Sequence, residues 1–572
     1  MRRAGAPLAA VLAVLVLLLG VPAVAPAASA VPTTTTAATG LAQTAEPDSP
    51  ALLSRAPTDP NAISRPERLD ARPPDHRLTG LQAQAIAGRN GKVREALRKY
   101  PTAKPEVFLK GPARWQVSWF TPGTGTARKE IAQVYVDDAT GGITEAWTGP
   151  QVAWTMARGY PGAFGRKVNS PWVWIPLTLL FLVPFLRPPL RMLHLDLAVL
   201  VAFGLSVAFF NDANLDVSVP LVAPLLLYLL ARMLWIGLRR GREYEPRPTL
   251  PLLVPTTWLA IAVVFLVGFR IGLNVTSSNV IDVGYSGVIG ADRLVDGKPL
   301  YGAFPSDDEH GDTYGPVAYE AYVPFEQALP WSGRWDDLPA AHAAAIVFDL
   351  LTLLLLFLAG RRIRGPGLGV VLAYAWVTWP FSLYALNCNT NDGLVAALAA
   401  LTLFVAAKPA GRGAVAALSG LSKLGSLGLV PLMATHGATR GRWMATVVRF
   451  TLAFVLVAAV VSLPILLRGE SLRTVYDQTI GFQAARGAPF SVWGLYDLTG
   501  PQHVWQAAAA LFALAAALIP RRRDVVGLAA VAAAIVIALQ LGVTYWFYLY
   551  LVWFFPFLAV AVFARFRVPD PA

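Results

Sequence analysis

Long apolar runs, separated by short polar segments, dominate the chain from residue 171 to residue 567. Many of them approach the roughly 20 residues that an α-helix needs to cross a bilayer. The predicted membrane spans are 171–186, 195–213, 217–238, 250–272, 341–360, 367–388, 392–408, 444–467, 502–519, 524–542 and 545–565. A further stretch, 413–436, is predicted to be a re-entrant hairpin or two short helices. The pattern therefore predicts a mainly α, polytopic membrane protein with about 11 to 13 spans.

The first 79 residues follow a different pattern. Residues 1–30 combine Arg2 and Arg3 with an apolar core and the small-residue site 28–30, which is typical of a secretory signal peptide. An uncleaved anchor is the alternative. Residues 31–79 are rich in Thr, Ala, Pro and Arg and lack periodicity, so they predict a disordered tether.

Residues 80–165 predict a small extracytoplasmic α+β domain. A helix is expected over 81–100, followed by strands over 106–110, 113–120, 130–138 and 143–149. This order, with the turn in VYVDDATGGITE, resembles a PepSY-like domain over roughly 70 residues. Such domains are usually regulatory or interaction modules, so the resemblance implies an envelope protein partner. We find no catalytic constellation in this domain.

Composition and charge agree with a membrane protein. The chain is 55% hydrophobic and only 15% charged, with 17 Trp, which is more apolar surface than a soluble fold would bury. The net charge of +13 does not indicate a nucleic-acid partner, because the basic clusters recur between apolar spans on one predicted side and mark topology. They predict a multi-pass protein with an extracytoplasmic N-terminal domain and a cytoplasmic C-terminus. The richness in Ala, Arg, Pro and Gly is compatible with a GC-rich bacterium, so the predicted location is the bacterial plasma membrane.

The segment from Asp282 to Gly302 opens a long acidic loop, 273–340. At 100° per residue its carboxylates, Tyr285 and Ser286 share one side of a helix, and most of its apolar residues share the other. The pattern predicts a helix that lies on the membrane surface and presents its carboxylates to water. An amphipathic linker without chemistry is the alternative.

The segments GADRLVDGKPLYG, DTYGPVAYEAYVPF, NTNDGLVAALAAL and GLSKLGSLGLVPL follow one another along the chain. Their order resembles the GT-C superfamily of membrane glycosyltransferases, nearest the polyprenyl-phosphate-dependent, mannosyltransferase-like glycosyltransferase 87 group. The resemblance implies a catalytic domain over 250–567 with outer loops 273–340 and 468–501. Residues 171–242 would be additional transmembrane helices, which the catalytic unit of the family does not require.

The resemblance assigns the catalytic base to Asp282, because the family carries a carboxylate in its first large outer loop. Acceptor hydroxyls are poor nucleophiles, so a carboxylate that removes the proton is expected. Lys423 and Arg486 are the candidates for binding the lipid-phosphate leaving group. A Lys in an apolar span costs about 2.5 to 3.5 kcal/mol and needs a partner or a ligand. A structural pair with Asp349, for which Arg449 would compete, is the alternative for Lys423.

The other substrate-binding candidates lie in the same predicted outer features. Asn391 and Asp392 are expected to bind a sugar, with a helix N-cap as the alternative. Tyrosines of the outer loop offer flat faces for sugars, whereas TYWFYLYLVWFF, 544–555, is more typical of an interfacial aromatic belt. The remaining candidates are Tyr285, Asp292, Arg293, Tyr301, Asp312, Tyr314 and Gln483.

A divalent cation is considered at Asp307, Asp308, Glu309 and His310, because the run offers carboxylate oxygens of the kind that hard cations prefer. A solvated acidic loop is the alternative, because lipid-phosphate donors of this superfamily often need no metal. The single cysteine, Cys388, excludes an intrachain disulfide and a thiolate metal cluster.

The sequence therefore predicts a glycosyltransferase that moves a sugar from a polyprenyl-phosphate donor to a lipid or envelope-glycan acceptor on the extracytoplasmic face. A transporter would show an inverted repeat and paired broken helices, and neither is visible. A non-catalytic receptor or assembly factor for the envelope is the remaining alternative.

Overall fold

The computed structural model describes residues 56–124, 128–159, 164–239, 248–439, 441–519 and 522–571. The predicted signal peptide and the first part of the predicted tether lie outside these residues. The described chain is mainly helical, with one small sheet near its N-terminal end.

The sheet is an antiparallel meander with the strand order β1-β2-β3-β4-β5. Its strands are β1 (Ile63–Ser64), β2 (Lys104–Lys110), β3 (Arg114–Phe120), β4 (Glu130–Asp137) and β5 (Ile143–Thr148). Two helices, α1 (Gly80–Gly88) and α2 (Gly91–Lys99), pack against it around a core that includes Trp115 and Val117. The four strands predicted after residue 100 are present within two residues of their expected ends.

The region predicted as one helix, 81–100, forms two. Thr79 caps α1 in a capping box with Gln82. The Asn90 side chain then accepts the backbone N–H of Lys92 and begins α2, because Asn competes with a continuing helix for backbone hydrogen bonds. The second helix therefore turns away from the first at Asn90.

The last part of the predicted tether is ordered against the sheet. Residues 63 and 64 form β1, which pairs with β2. The carboxylate of Asp138 accepts the backbone N–H groups of Arg77 and Leu78 at 2.6 and 3.0 Å and the indole N–H of Trp115 at 2.8 Å. Composition alone did not indicate these long-range contacts.

Fifteen further helices serve as reference elements below. They are α3 (Pro171–Leu182), α4 (Met192–Asn211), α5 (Leu215–Leu238), α6 (Thr256–Thr276), α7 (Asp282–Val295), α8 (Pro339–Arg364), α9 (Pro366–Thr378), α10 (Pro380–Asn387), α11 (Asp392–Phe404), α12 (Pro409–Ser422), α13 (Val430–Thr435), α14 (Trp443–Leu467), α15 (Thr499–Ala515), α16 (Val525–Gln540) and α17 (Leu551–Phe563). Shorter helical pieces include Pro150–Ala153, Thr155–Arg158, Arg166–Asn169, Val183–Phe185, Val317–Glu320, Val323–Ala328, Leu424–Leu429, Leu472–Tyr476, Asp477–Gly481, Phe482–Ala485, Val492–Leu495 and Tyr548–Tyr550.

Five helices in the described ranges are long and apolar enough to cross a membrane, namely α4, α5, α6, α8 and α14. The pair α9 and α10, bent by 58°, makes a sixth if it is counted as one span. This is fewer than the 11 to 13 spans expected from the sequence. The difference arises because other predicted spans form apolar helices of only 10–17 residues, among them α11, α16 and α17.

The core of the helical part lies around α16 and α17, which are buried on nearly every side. Trp379 begins the bend between α9 and α10, and its ring stacks on Phe555 of α17 with centroids 4.2 Å apart. Cys388 follows α10 and is fully buried. This packing fixes the turn 387–392, which borders the site described next.

Candidate functional site

Helix α7 begins at Asp282 and is buried over most of its length, from Gly284 to Ala291 and at Leu294. On the side predicted to face water, Asp282 and Asp296 are exposed, but Tyr285 and Ser286 are buried. The acidic loop folds over α7, so the Tyr285 hydroxyl donates to Asp307 Oδ2 at 3.1 Å and the Ser286 hydroxyl donates to Asp308 Oδ2 at 2.7 Å. The pattern of hydrophobic positions in α7 does not predict that the acidic loop covers this helix.

Three glycines allow α7 to pack this closely. A Cβ atom on Gly284 would collide with the carbonyl oxygen of Asn389, and Cβ atoms on Gly287 and Gly290 would collide with the rings of Tyr322 and Tyr319. Because these positions carry no side chain, the N-terminal end of α7 lies directly against the turn 387–392.

The turn 387–392 and the residues that precede Asp282 are joined by a network of amides. Asn389, whose φ of 50° is one that Asn tolerates, accepts from Asn274 Nδ2 at 2.8 Å and donates to Ser278 Oγ at 3.0 Å. The backbone N–H of Ile281 donates to the carbonyl of Cys388 at 3.3 Å. Asp282 is therefore held at a fixed place beside the start of α11.

Asp282 is exposed to solvent, yet enough protein surrounds its carboxylate to desolvate it, so the group lies in a concave part of the surface. This concave region, with Asp282, Asp392, Lys423 and Arg486, is called the cavity below. This enclosure raises the pKa of the Asp282 carboxyl above its ordinary value by desolvation, and the positive charges of Arg486 and Lys423 oppose that rise. Asp392 also lies close enough to act on this pKa, in the raising direction. The structure thus brings together four charged residues that the sequence had singled out.

Asp392 and Lys423 form a buried ion pair, with 2.6 Å between Lys423 Nζ and Asp392 Oδ1. The same carboxylate accepts the indole N–H of Trp553 at 2.7 Å and the hydroxyl of Thr390 at 2.8 Å. Asn391 occupies the N-cap position of α11, as the alternative held, but its side chain makes no capping hydrogen bond. Both amide atoms of buried Asn391 lack a hydrogen-bond partner among the described residues.

Lys423 follows the end of α12, at the point where the segment 413–436 reverses direction. Arg412, near the start of α12, donates to the carbonyls of Met433 and His436 at 2.8 and 2.7 Å, so the two ends of segment 413–436 meet. The alternative partner considered for Lys423, Asp349, is instead bound by Arg270 at 2.5 Å. Arg449 is exposed on α14.

Aromatic rings surround both cations. Lys423 Nζ lies 5.0, 5.1 and 5.8 Å from the ring centroids of Trp553, Tyr314 and Tyr550. These distances permit cation–π attraction, which is worth about 0.5–2 kcal/mol per contact. Lys423 therefore combines one carboxylate partner with three ring faces.

Arg486 is held in a similar way. Its guanidinium carbon lies 3.8 Å from the ring centroid of Tyr545, 5.7 Å from that of Phe482 and 5.8 Å from that of Trp154. Three rings of the segment 544–555, which is predicted to be an interfacial belt, thus contact the two cations: Tyr545 contacts Arg486, and Tyr550 and Trp553 contact Lys423. Sequence reasoning missed these residues and Trp154, because their partners are remote along the chain.

Several other candidates organise the loop rather than face the four charges. Arg293 Nε donates to the carbonyl of Pro299 at 2.6 Å, and the Tyr301 hydroxyl donates to the carbonyl of Tyr314 at 2.9 Å. Asp312 accepts the backbone N–H of Gly302 at 2.5 Å.

Two candidates lie away from the four charges. Asp292 is partly exposed on α7, and Gln483 is exposed on the short helix Phe482–Ala485. No contact in the described residues brings Asp292 or Gln483 to the ion pair.

The acidic run does not form a metal site in the part of the chain that the structure describes. No group of three or more His, Cys, Asp or Glu side chains there could hold a metal ion. Asp307 and Asp308 are bound by α7, and the His310 ring lies 4.6 Å from that of Phe482, centroid to centroid. Burial raises the pKa of the Asp308 carboxyl to about 8, with Asp282 and Asp307 adding to the rise.

The comparisons with known proteins add no family assignment. No model of a known protein family matches the chain, and no curated protein is significantly similar to it. The functional conclusions below therefore depend on the geometry of the site.

Proposed function

We propose that the protein is an integral membrane glycosyltransferase of GT-C type. It would transfer a sugar, mannose or another hexose or pentose, from a polyprenyl-phosphate donor to a lipid or envelope-glycan acceptor on the extracytoplasmic face. The five long apolar helices support the membrane setting. The cavity that contains Asp282, Asp392, Lys423 and Arg486 supports the chemistry.

Asp282 is the proposed base. It is the carboxylate of the cluster that solvent reaches, whereas the Asp392 carboxylate is buried and engaged by Lys423, Trp553 and Thr390. A raised pKa makes a carboxylate a stronger proton acceptor while leaving it ionised once the pH exceeds that pKa. Asp282 can therefore take the proton of an acceptor hydroxyl as the new glycosidic bond forms.

Arg486 is the proposed primary contact of the donor phosphate. No carboxylate in the described ranges lies within ion-pair distance of it, whereas Lys423 is already paired with Asp392. A guanidinium stacked on Tyr545 can present N–H groups in its plane to phosphate oxygens. Lys423 adds positive charge deeper in the site, and the leaving phosphate is stabilised without a general acid.

The sugar would lie between these charges and the rings of Tyr314, Tyr545 and Tyr550. The tyrosines are half-buried, so part of each residue is accessible. The unpartnered amide of Asn391 is a second polar group available beside Asp392. A sugar offers hydroxyls for the amide and an apolar ring face for the tyrosines.

The observation that carries this proposal is the juxtaposition of an accessible carboxylate with two cations in an aromatic-lined cavity. Its test is transfer of radiolabelled sugar from polyprenyl-phosphate-mannose into membrane lipids, comparing the wild type with Asp282→Asn. Asn keeps the shape but cannot act as the base, so we expect transfer to fall by about 10²- to 10⁴-fold.

Asp336→Asn is the matched control, because Asp336 lies in the same acidic loop and its side chain is 70% exposed. The control should transfer sugar at the wild-type rate. Equal rates for Asp282→Asn and the wild type would refute the assignment of the base. A wild type that transfers nothing from mannose or other polyprenyl-linked donors would instead favour a non-catalytic receptor or assembly factor.

A further inference from the structure

The segment that connects the sheet to α3 is built into both parts of the molecule. It begins at Gly149, whose φ of 60° is accessible to glycine, and continues through the short helices Pro150–Ala153 and Thr155–Arg158. Gln151 Nε2 donates to the carbonyl of Ala213, in the turn between α4 and α5, at 2.7 Å. This hydrogen bond therefore holds the segment against the helical part.

Arg158 fixes the same segment to the sheet. Its guanidinium is buried and donates to Gln133 Oε1 of β4 at 2.8 Å and to the carbonyls of Gln151 and Val152 at 2.8 and 2.9 Å. It also lies 5.6 Å from the Trp147 ring of β5. A displacement of the sheet would thus be transmitted to residues 150–158.

Trp154 lies between the two short helices and reaches the cavity. Its ring meets Phe490 edge-on at 5.2 Å between centroids, and it lies 5.9 Å from Tyr545. The neighbouring Met156 Sδ accepts the hydroxyl of Tyr545 at 3.5 Å. Trp154 therefore packs against the residues that carry Arg486.

Arg486 depends on such packing for its position. It follows the four-residue helix Phe482–Ala485 in a loop where Gln483, Ala484 and Gly487 are exposed. With no carboxylate within ion-pair distance in the described chain, its guanidinium is restrained by three rings. One of those rings, Trp154, comes from a segment more than 300 residues earlier in the chain.

We propose that Trp154 is a positioning residue for Arg486 and that residues 150–158 couple the small sheet to the anion-binding side of the cavity. Trp154 completes the ring enclosure that holds the guanidinium toward the donor phosphate. The donor half of this inference rests on the proposed function, whereas the restraint on Arg486 does not. A partner that moves the sheet would change donor affinity without touching Asp282.

The test measures the reactivity of Arg486 in the full-length protein. Phenylglyoxal modification of arginines is followed by mass spectrometry in the wild type and in Trp154→Ala. We expect the rate at Arg486 to rise about threefold to tenfold, because one cation–π partner and its steric cover are lost. Arg473, whose side chain is 90% exposed in the same loop, is the internal control and should react unchanged.

Three variants make the result specific. Trp154→Phe keeps a ring, so its Arg486 should react at close to the wild-type rate. Trp154→Leu keeps apolar volume without a ring, so the rate at Arg486 should also rise, but by less than in Trp154→Ala. Trp154→Leu also replaces Trp154→Ala if the latter does not accumulate. Trp172→Ala, at a tryptophan on α3 that is 88% exposed, should change nothing.

An unchanged rate at Arg486 in Trp154→Ala or Trp154→Leu would overturn the inference even if the protein transfers sugar. Equal increases at Arg486 and Arg473 would also overturn it, because they would indicate general loosening of the loop. If the wild type transfers no sugar but Arg486 alone becomes reactive, the restraint stands and the proposed function fails. If transfer occurs, Trp154→Ala should raise the donor KM about threefold to tenfold with kcat within about twofold.

Discussion

The Arg270–Asp349 ion pair and the Lys423–Asp392 ion pair are both buried among helices, but their surroundings differ. Arg270 donates to both oxygens of Asp349, to the carbonyl of Val377 and to the hydroxyl of Ser382. Trp376 donates a further hydrogen bond to Asp349.

The Lys423–Asp392 pair has fewer polar partners. Lys423 contacts one carboxylate oxygen and three ring faces, and Asn391, the residue before Asp392, has an unpartnered amide.

This difference separates a structural pair from a candidate functional one. A buried ion pair offsets its desolvation cost only when hydrogen bonds satisfy the remaining polar atoms, as they do around Arg270 and Asp349. Around Lys423 and Asp392 the protein leaves polar atoms available and places the accessible Asp282 nearby. Buried charge alone is therefore a weak indicator of a site, and incomplete pairing beside a cavity is a better one.

The largest effect on stability is expected at the structural pair. Asp349→Ala leaves Arg270 buried without its counter-charge, which should cost about 3–5 kcal/mol in the free energy of unfolding. Thermal unfolding in detergent measures this loss. The double variant Arg270→Met/Asp349→Leu should recover much of it, because two apolar side chains replace two charges. A single variant as stable as the wild type would contradict the structural role.

The second effect separates function from stability at the other pair. Lys423→Met should reduce sugar transfer by about 10²- to 10³-fold through loss of charge stabilisation in the cavity. Its loss of stability should be smaller than that of Asp349→Ala, because Asp392 keeps its hydrogen bonds from Trp553 and Thr390. Arg449→Met, at an exposed cation of α14, is the control. If Lys423→Met and Arg449→Met lost transfer equally, the loss would not be specific to the buried pair. The Lys423–Asp392 pair would then no longer be distinguished from the structural Arg270–Asp349 pair.

The smallest effect concerns Asp308, which tests the influence of pH beside the cavity. Its folded-state pKa of about 8 lies above its ordinary value of 3.8, so the folded protein keeps a proton that the unfolded chain releases. Asp308 therefore contributes stability at low pH that is lost as the pH rises toward 8. Between pH 5 and pH 8 the Tm of the wild type should fall by about 2 °C more than that of Asp308→Asn. Parallel Tm profiles would show that Asp308 is ionised throughout.

Much of the fold follows from local patterns in the sequence. Apolar runs located the helices, and alternation located strands β2 to β5. Span length was predicted poorly, although Pro380 marks the break between α9 and α10 in the sequence, because proline cannot continue the preceding helix. The size of the bend there, 58°, has no such local signal. The cover over α7 also escaped prediction, since it requires the loop carboxylates to fold back onto Tyr285 and Ser286.

The charged members of the candidate site could be found because a charge in or beside an apolar run is unusual. That signal marks Asp282, Asp392, Lys423 and Arg486. It does not show which of them form an ion pair. Arg270 in α6 offered the same signal and was overlooked as the partner of Asp349. Trp154 and Tyr545 carried no distinguishing signal, because tryptophan and tyrosine are common in this chain. Their role depends on contact with a cation, Arg486, that only folding brings close.

The burial of Cys388 has a practical consequence. It is the only cysteine of the chain, and its side chain is fully buried within the turn 387–392. A maleimide reagent should therefore leave the folded wild type unlabelled, so cysteines introduced one at a time can carry spin labels or fluorophores in an otherwise native background. One label on the small sheet and one on the loop 468–501 would then allow the distance between these two parts to be measured in the intact protein.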